Sequence, residues 1–220
     1  MKNVQNFKHT EQGLGTVEAV DNRYRLSIPA VEASTYHNAQ ITSYSMRREM
    51  TYHAPVRLTL SAHAEGTWRG TAGFGFWNHP FAPGERSVRL PKALWFFFAS
   101  PPSDIALAKG VAGHGFKAAT FDATRWPFLA LLPAAPIGFI MMRQRGLYER
   151  LWPMGQRAIG VDEYALDSQM LQQAHTYTLE WGRDSARFLI DGQSVWVTPR
   201  VPQGKSGFIA WIDNQYAVVT

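Results

Sequence analysis

Hydrophobic residues in this chain recur mostly at every second position, in short blocks. The clearest block, His175-Thr-Tyr-Thr-Leu-Glu-Trp181, sets Tyr177, Leu179 and Trp181 on one face and Thr176, Thr178 and Glu180 on the other. That is the period of a strand buried on one side. Gly182-Arg-Asp-Ser185 reads as a turn, Ala186, Phe188 and Ile190 alternate again, and Asp191-Gly192 supplies the positive φ angles of a tight hairpin turn. Three consecutive antiparallel strands are predicted here. Further strands are predicted at 23–28, 41–46, 56–62, 73–77, 116–121 and 208–212, and only 165–174 carries a weak helical pattern. Many short strands without alternating helices predict an all-β fold, a two-sheet antiparallel sandwich or jelly roll.

Two apolar runs test that picture. Trp95-Phe-Phe-Phe-Ala99 has the length of a strand and is ended by Pro101-Pro102. The run from Trp126 to Met142 is interrupted by Pro127, Pro133, Pro136 and Gly138, and it falls short of the ~20 residues a membrane-spanning helix needs. Its Pro-Ala-Ala-Pro centre is expected to be a turn between two buried strands, because proline cannot donate to a sheet ladder. No membrane insertion is expected.

Composition narrows the partners. With 220 residues, 45% hydrophobic and 18% charged, the chain is predicted to form one domain over 1–220. The net charge of +5 comes from dispersed cations, the densest group being Arg143, Arg145 and Arg150 around Glu149. No nucleic-acid partner is expected from so diffuse a pattern. The absence of cysteine excludes disulfides and thiolate chemistry. The N-terminal ten residues lack the apolar core of a secretory signal, so a cytoplasmic location is expected, with secretion the alternative if a leader has been removed. The seven histidines show no paired metal-ligand spacing, and no metal or other cofactor is expected. A structural calcium at Asp213-Asn214 would lack the usual acidic cluster.

The run His175-Thr-Tyr-Thr-Leu-Glu-Trp with Phe188-Leu-Ile-Asp-Gly192 resembles the H-x-Y-x-[IL]-x-W … F-x-[IV]-D-G signature of the concanavalin A-like lectin/glucanase superfamily, nearest to the family 16 glycoside hydrolases. Gly73-Phe-Gly-Phe-Trp-Asn78 and Leu90-Pro-Lys-Ala-Leu-Trp95 resemble the strands that lead into the active-site strand of those enzymes. The resemblance covers 55–220, while 1–54 contributes strands by pattern alone. It implies a jelly roll with a glycan cleft and, in the hydrolases, a strand bearing Glu-x-Asp-x-Glu. One register sets Asp104-x-Ala106-x-Ala108 against that motif, leaving one carboxylate; the other, through Trp95, Phe97 and Ala99, has none. A retaining glycosidase needs two carboxyl groups about 5 Å apart.

Three functions remain open. The first is a glycan-binding or otherwise non-hydrolytic protein with a degenerate glycosidase cleft, taking an oligo- or polysaccharide. The second is a glycoside hydrolase with altered catalytic residues, for which Asp104, Glu163 and Asp167 are the candidates. Glu163 and Asp167 share one face if 161–167 is a strand, and Asp167 is a cap if a short helix follows. The third is a binding module for a small apolar ligand or a protein. A sugar site combines aromatic faces with a few polar groups, so Trp77, Asn78, His79, Trp95, Asp104 and Trp126 are the expected ligand-binding residues. The alternative is that Trp77 and Trp95 fill the interior.

Overall fold

The computed structural model describes residues 7–29, 35–80, 89–104, 107–141 and 143–216. Two antiparallel sheets face each other. The larger has seven strands in the order β1 (Lys8–Gln12), β4 (Asn38–Thr42), β13 (Gly207–Asp213), β6 (Thr71–Trp77), β7 (Lys92–Ala99), β8 (Gly115–Asp122) and β9 (Asp162–Leu166). The smaller has four, in the order β12 (Gln193–Thr198), β11 (Ala186–Ile190), β10 (His175–Trp181) and β5 (Val56–Ala62). A ribbon of β2 (Thr16–Val20) and β3 (Arg23–Ser27) joins neither ladder but packs against β1, β4 and β13, with Val17 and Tyr24 against the core. This is the expected jelly-roll sandwich.

Alternation builds the core. Tyr177, Leu179 and Trp181 of β10 and Phe188 and Ile190 of β11 are buried against Phe74, Phe76, Leu94, Phe96 and Phe116 of the larger sheet. Rings interlock across the gap, with Phe96 edge-on to Tyr177 at 5.1 Å and to Phe188 at 5.1 Å, and Phe76 at 5.2 Å from Trp181. The hairpin between β11 and β12 turns on Asp191 and Gly192, both at positive φ (50° and 80°), as their sequence predicts.

Several elements depart from the sequence expectation. Residues 126–142 are not a turn between buried strands. They begin a helical excursion of α1 (Trp126–Leu131), a single 3-10 turn (Leu132–Ala134), α2 (Ala135–Met141) and α3 (Arg145–Ile159), inserted between β8 and β9. The prolines explain the difference. Pro127, Pro133 and Pro136 are each the second residue of their own helical piece, where the missing N–H would have had no partner. The longest helix is therefore not at 165–174, where only a 3-10 segment, Ser168–Gln172, forms. The strand expected at 41–46 lies earlier, at Asn38–Thr42, β1 and β2 carry too weak an alternation to be predicted, and β9 realises the strand alternative for 161–167, with Asp167 capping the 3-10 segment that follows. Asp104, finally, lies beyond the end of β7 and belongs to no strand, while Ala106 of the same proposed register lies outside the described residues.

Candidate functional site

The face of the larger sheet turned away from the core is tiled with aromatic rings. Strand alternation sends Leu94 and Phe96 inward and Ala93, Trp95, Phe97 and Ala99 outward from β7. Cross-strand register then generates three rows over this outer face. One runs Trp211, Gly73, Phe97, Lys117; the next Ile209, Gly75, Trp95, Ala119, Glu163; the third Gly207, Trp77, Ala93, Phe121. Each row sets large residues beside small ones.

That complementarity lets the rings lie down on the sheet. A Cβ on Gly73 would sit 2.7 Å from the Trp211 ring, and one on Gly75 would sit 2.6 Å from the Cβ of Trp95. Trp95 is the centre of the resulting platform. It stacks on Trp77 at 5.0 Å and 24° and on Phe97 at 5.7 Å and 20°, and it meets Trp211 at 5.0 Å and Phe121 at 5.7 Å. All five rings are partly exposed. Trp77 and Trp95 are thus outside the inter-sheet core, on a face that remains open to solvent.

Walls rise on two sides. On one, the Tyr44 ring packs over Gly207, and its hydroxyl is 3.2 Å from His79 Nδ1. Arg47 donates to the carbonyl oxygens of His79 and Pro80, tying the same segments together. Burial, then the charge of Arg47, holds the His79 imidazole below its usual pKa, so it is neutral near pH 7. On the other side the loop after β7 folds over β8 and β9. Lys117 Nζ donates to the Ala112 carbonyl at 2.6 Å, and the Ala108 N–H donates to Glu163 at 3.0 Å.

Lys117 and Glu163 form a buried pair at 3.6 Å beneath that loop. Burial pushes the Glu163 carboxyl up, opposed by Lys117 and the Ala108 N–H, and the same burial pushes the Lys117 ammonium down. Among the described strand residues of the outer face the other carboxyl is Asp213, which accepts from Thr71 Oγ1 at 2.9 Å and from the Gln215 N–H at 3.0 Å. Burial raises it as well. Glu163 and Asp213 lie four strands apart, on the order of 19 Å at ~4.8 Å per strand, beyond the roughly 5–9.5 Å span of a glycosidase acid pair.

The residues singled out from the sequence therefore separate. Trp77 and Trp95 come together at the platform. Asn78 is buried and braces the end of β6, accepting from the Lys92 N–H at 2.9 Å and donating to the Leu90 carbonyl at 2.9 Å. His79 belongs to the wall. Asp104 is partly exposed in the loop past β7, and burial first, then the charge of Asp104, raises the phenol of Tyr148 on α3. Trp126 opens α1 and is 77% exposed. Asp167 caps the 3-10 segment, accepting from the Gln169 N–H at 2.9 Å, while Glu163 stands on strand β9. Phe97, Phe121 and Trp211, not among the site residues named from the sequence, complete the platform; their signal is the parity they share with Trp95 and the Gly73-x-Gly75 pattern facing them.

No family model and no curated protein sequence matches the chain. Solved structures do. A prokaryotic β-1,3-1,4-glucanase (lichenase) derived from a mouse hindgut metagenome superposes with a TM-score of 0.51 at 9% identity, covering 96% of this chain and 81% of that one. A Bacillus licheniformis β-glucanase gives 0.44 at 9% identity, over 97% and 72%. A GlcNAcα1-4Gal-releasing endo-β-galactosidase from Clostridium perfringens gives 0.47 at 12% identity, over 94% and 52%. The first of these establishes the architecture: the chain has the antiparallel jelly-roll fold of a β-1,3-1,4-glucanase.

Proposed function

We propose that this protein binds a polysaccharide on the Trp77–Trp95–Phe97–Trp211 platform without hydrolysing it. The carrying observation is the outer face of β7, where Trp95 and Phe97 offer partly exposed rings, Ala93 and Ala99 are buried, and none of the four carries a carboxyl. Pyranose rings present apolar C–H faces that stack on such surfaces, and Gln40, beside Trp211 in register, is partly exposed to take a hydroxyl. The wide separation of Glu163 and Asp213 supports the same reading, since hydrolysis needs an acid and a second carboxylate at one bond. The fold shared with a glucanase makes β-glucans the first ligands to try.

The test is isothermal titration of mixed-linkage β-glucan, laminarihexaose and cellohexaose, with reducing-sugar release followed in parallel. Binding without release is expected, and Trp95→Ala should weaken it at least about tenfold, or ~1.4 kcal/mol. Failure of all three glycans to bind, or unchanged binding by Trp95→Ala, would overturn the proposal. Sugar release abolished by Glu163→Gln would replace it with the altered hydrolase.

A further inference from the structure

The helical excursion between β8 and β9 is not needed to join them, since neighbouring antiparallel strands close with a short turn. It also does little for the core. No side chain of α1 is buried, α1 packs mainly against α3, and α2 packs on the 3-10 turn and on α3. Among the described residues thirteen large hydrophobic side chains are exposed, and seven of them lie between Trp126 and Met154. Trp126 is 77% exposed, Ile137 67%, Ile140 68% and Met154 53%. Such a concentration marks an interaction surface.

The charges name the partner. Residues 125–159 contain Arg125, Arg143, Arg145, Arg150 and Arg157 against the single acid Glu149. Arg150, Met154 and Arg157 fall on one exposed face of α3, at helical spacing. Exposed apolar side chains with a tryptophan, carried in one segment with an excess of arginine, match a layer of anionic headgroups over acyl chains. A second copy of this chain would bring the basic rim against itself in a two-fold contact. No helix among the described residues is long and apolar enough to cross a membrane, so the seat would be shallow.

We propose that the 125–159 excursion docks the protein on the surface of an anionic lipid bilayer, with Trp126, Ile137 and Ile140 entering the headgroup boundary and Arg143, Arg150 and Arg157 pairing with lipid phosphates. The expectation of no membrane insertion, drawn from the length of the apolar run, speaks to spanning and not to this mode. The proposal stands independently of the glycan platform.

Flotation of the full chain with phosphatidylcholine vesicles, with and without phosphatidylglycerol, tests it. Binding is expected to the mixed vesicles only and to weaken in high salt. At about fivefold per arginine near an anionic surface, Arg143→Gln with Arg150→Gln and Arg157→Gln should reduce it on the order of 100-fold. Trp126→Ser with Ile137→Ser and Ile140→Ser should abolish it while leaving the melting temperature unchanged, because these side chains are exposed. Absence of binding to mixed vesicles, or binding indifferent to the serine substitutions, would refute it. So would sedimentation of the parent as a dimer that the serine variant turns into a monomer, which would assign the surface to a second copy.

Discussion

Replacing Gly75 by alanine probes both the fold and the platform. Gly75 has φ of +154°, and an added Cβ would lie 2.4 Å from the Leu94 carbonyl oxygen and 2.6 Å from the Cα and Cβ of Trp95. Two of these three contacts are backbone, so the neighbouring strand itself must move. Backbone strain of this kind costs about 1–3 kcal/mol, overpacking another ~1–3 kcal/mol, and reduced freedom of the unfolded chain returns about 0.4–1 kcal/mol. The net loss is about 3 kcal/mol near the middle of those ranges, which at ~2–4 °C per kcal/mol for a chain of this size lowers the melting temperature by about 6–12 °C. Gly66→Ala is the control. That glycine also has positive φ (+81°) but nothing within 4 Å of the added Cβ, so only the strain remains, about 1–2 kcal/mol. Paired thermal melts by differential scanning calorimetry decide the matter. Equal shifts in the two variants would show that β6 yields without cost and that Trp95 does not rest on Gly75.

Two further outcomes follow from the charged groups. Glu163→Gln should destabilise by about 3–5 kcal/mol in urea titrations because it strands Lys117, whereas Lys117→Met combined with Glu163→Leu should recover most of the loss; equal losses in both would refute the pairing. Asp191 is held below its usual pKa by the Thr176 N–H and then by His175, so its stabilising contribution is complete above the unfolded value of about 3.9 and is lost as pH falls through the lower folded value. Urea unfolding from pH 6 down to acid should show that loss in the parent and less of it in Asp191→Asn.

The sandwich was legible in the chain because strand alternation is a local property. Tyr177, Leu179 and Trp181 declare a buried face by themselves, and Asp191-Gly192 declares its turn, since φ preference needs no neighbour. The helical excursion was not legible. Its prolines break strands and open helices equally well, and only the folded backbone shows each at the second residue of a helical piece. The platform needed tertiary structure for a different reason. Aromatic residues fill interiors and coat surfaces with the same side chains, so Trp95 and Phe96, adjacent in sequence, cannot be told apart until the second sheet claims Phe96 for the core. Cross-strand register then decides the rest, laying Trp211 over Gly73 and Trp95 over Gly75 from segments more than a hundred and about twenty residues apart. It also sets Glu163 beside Lys117 and far from Asp213, a distance no spacing along the chain encodes, because carboxyl groups are brought together or kept apart by the order of strands in the sheet.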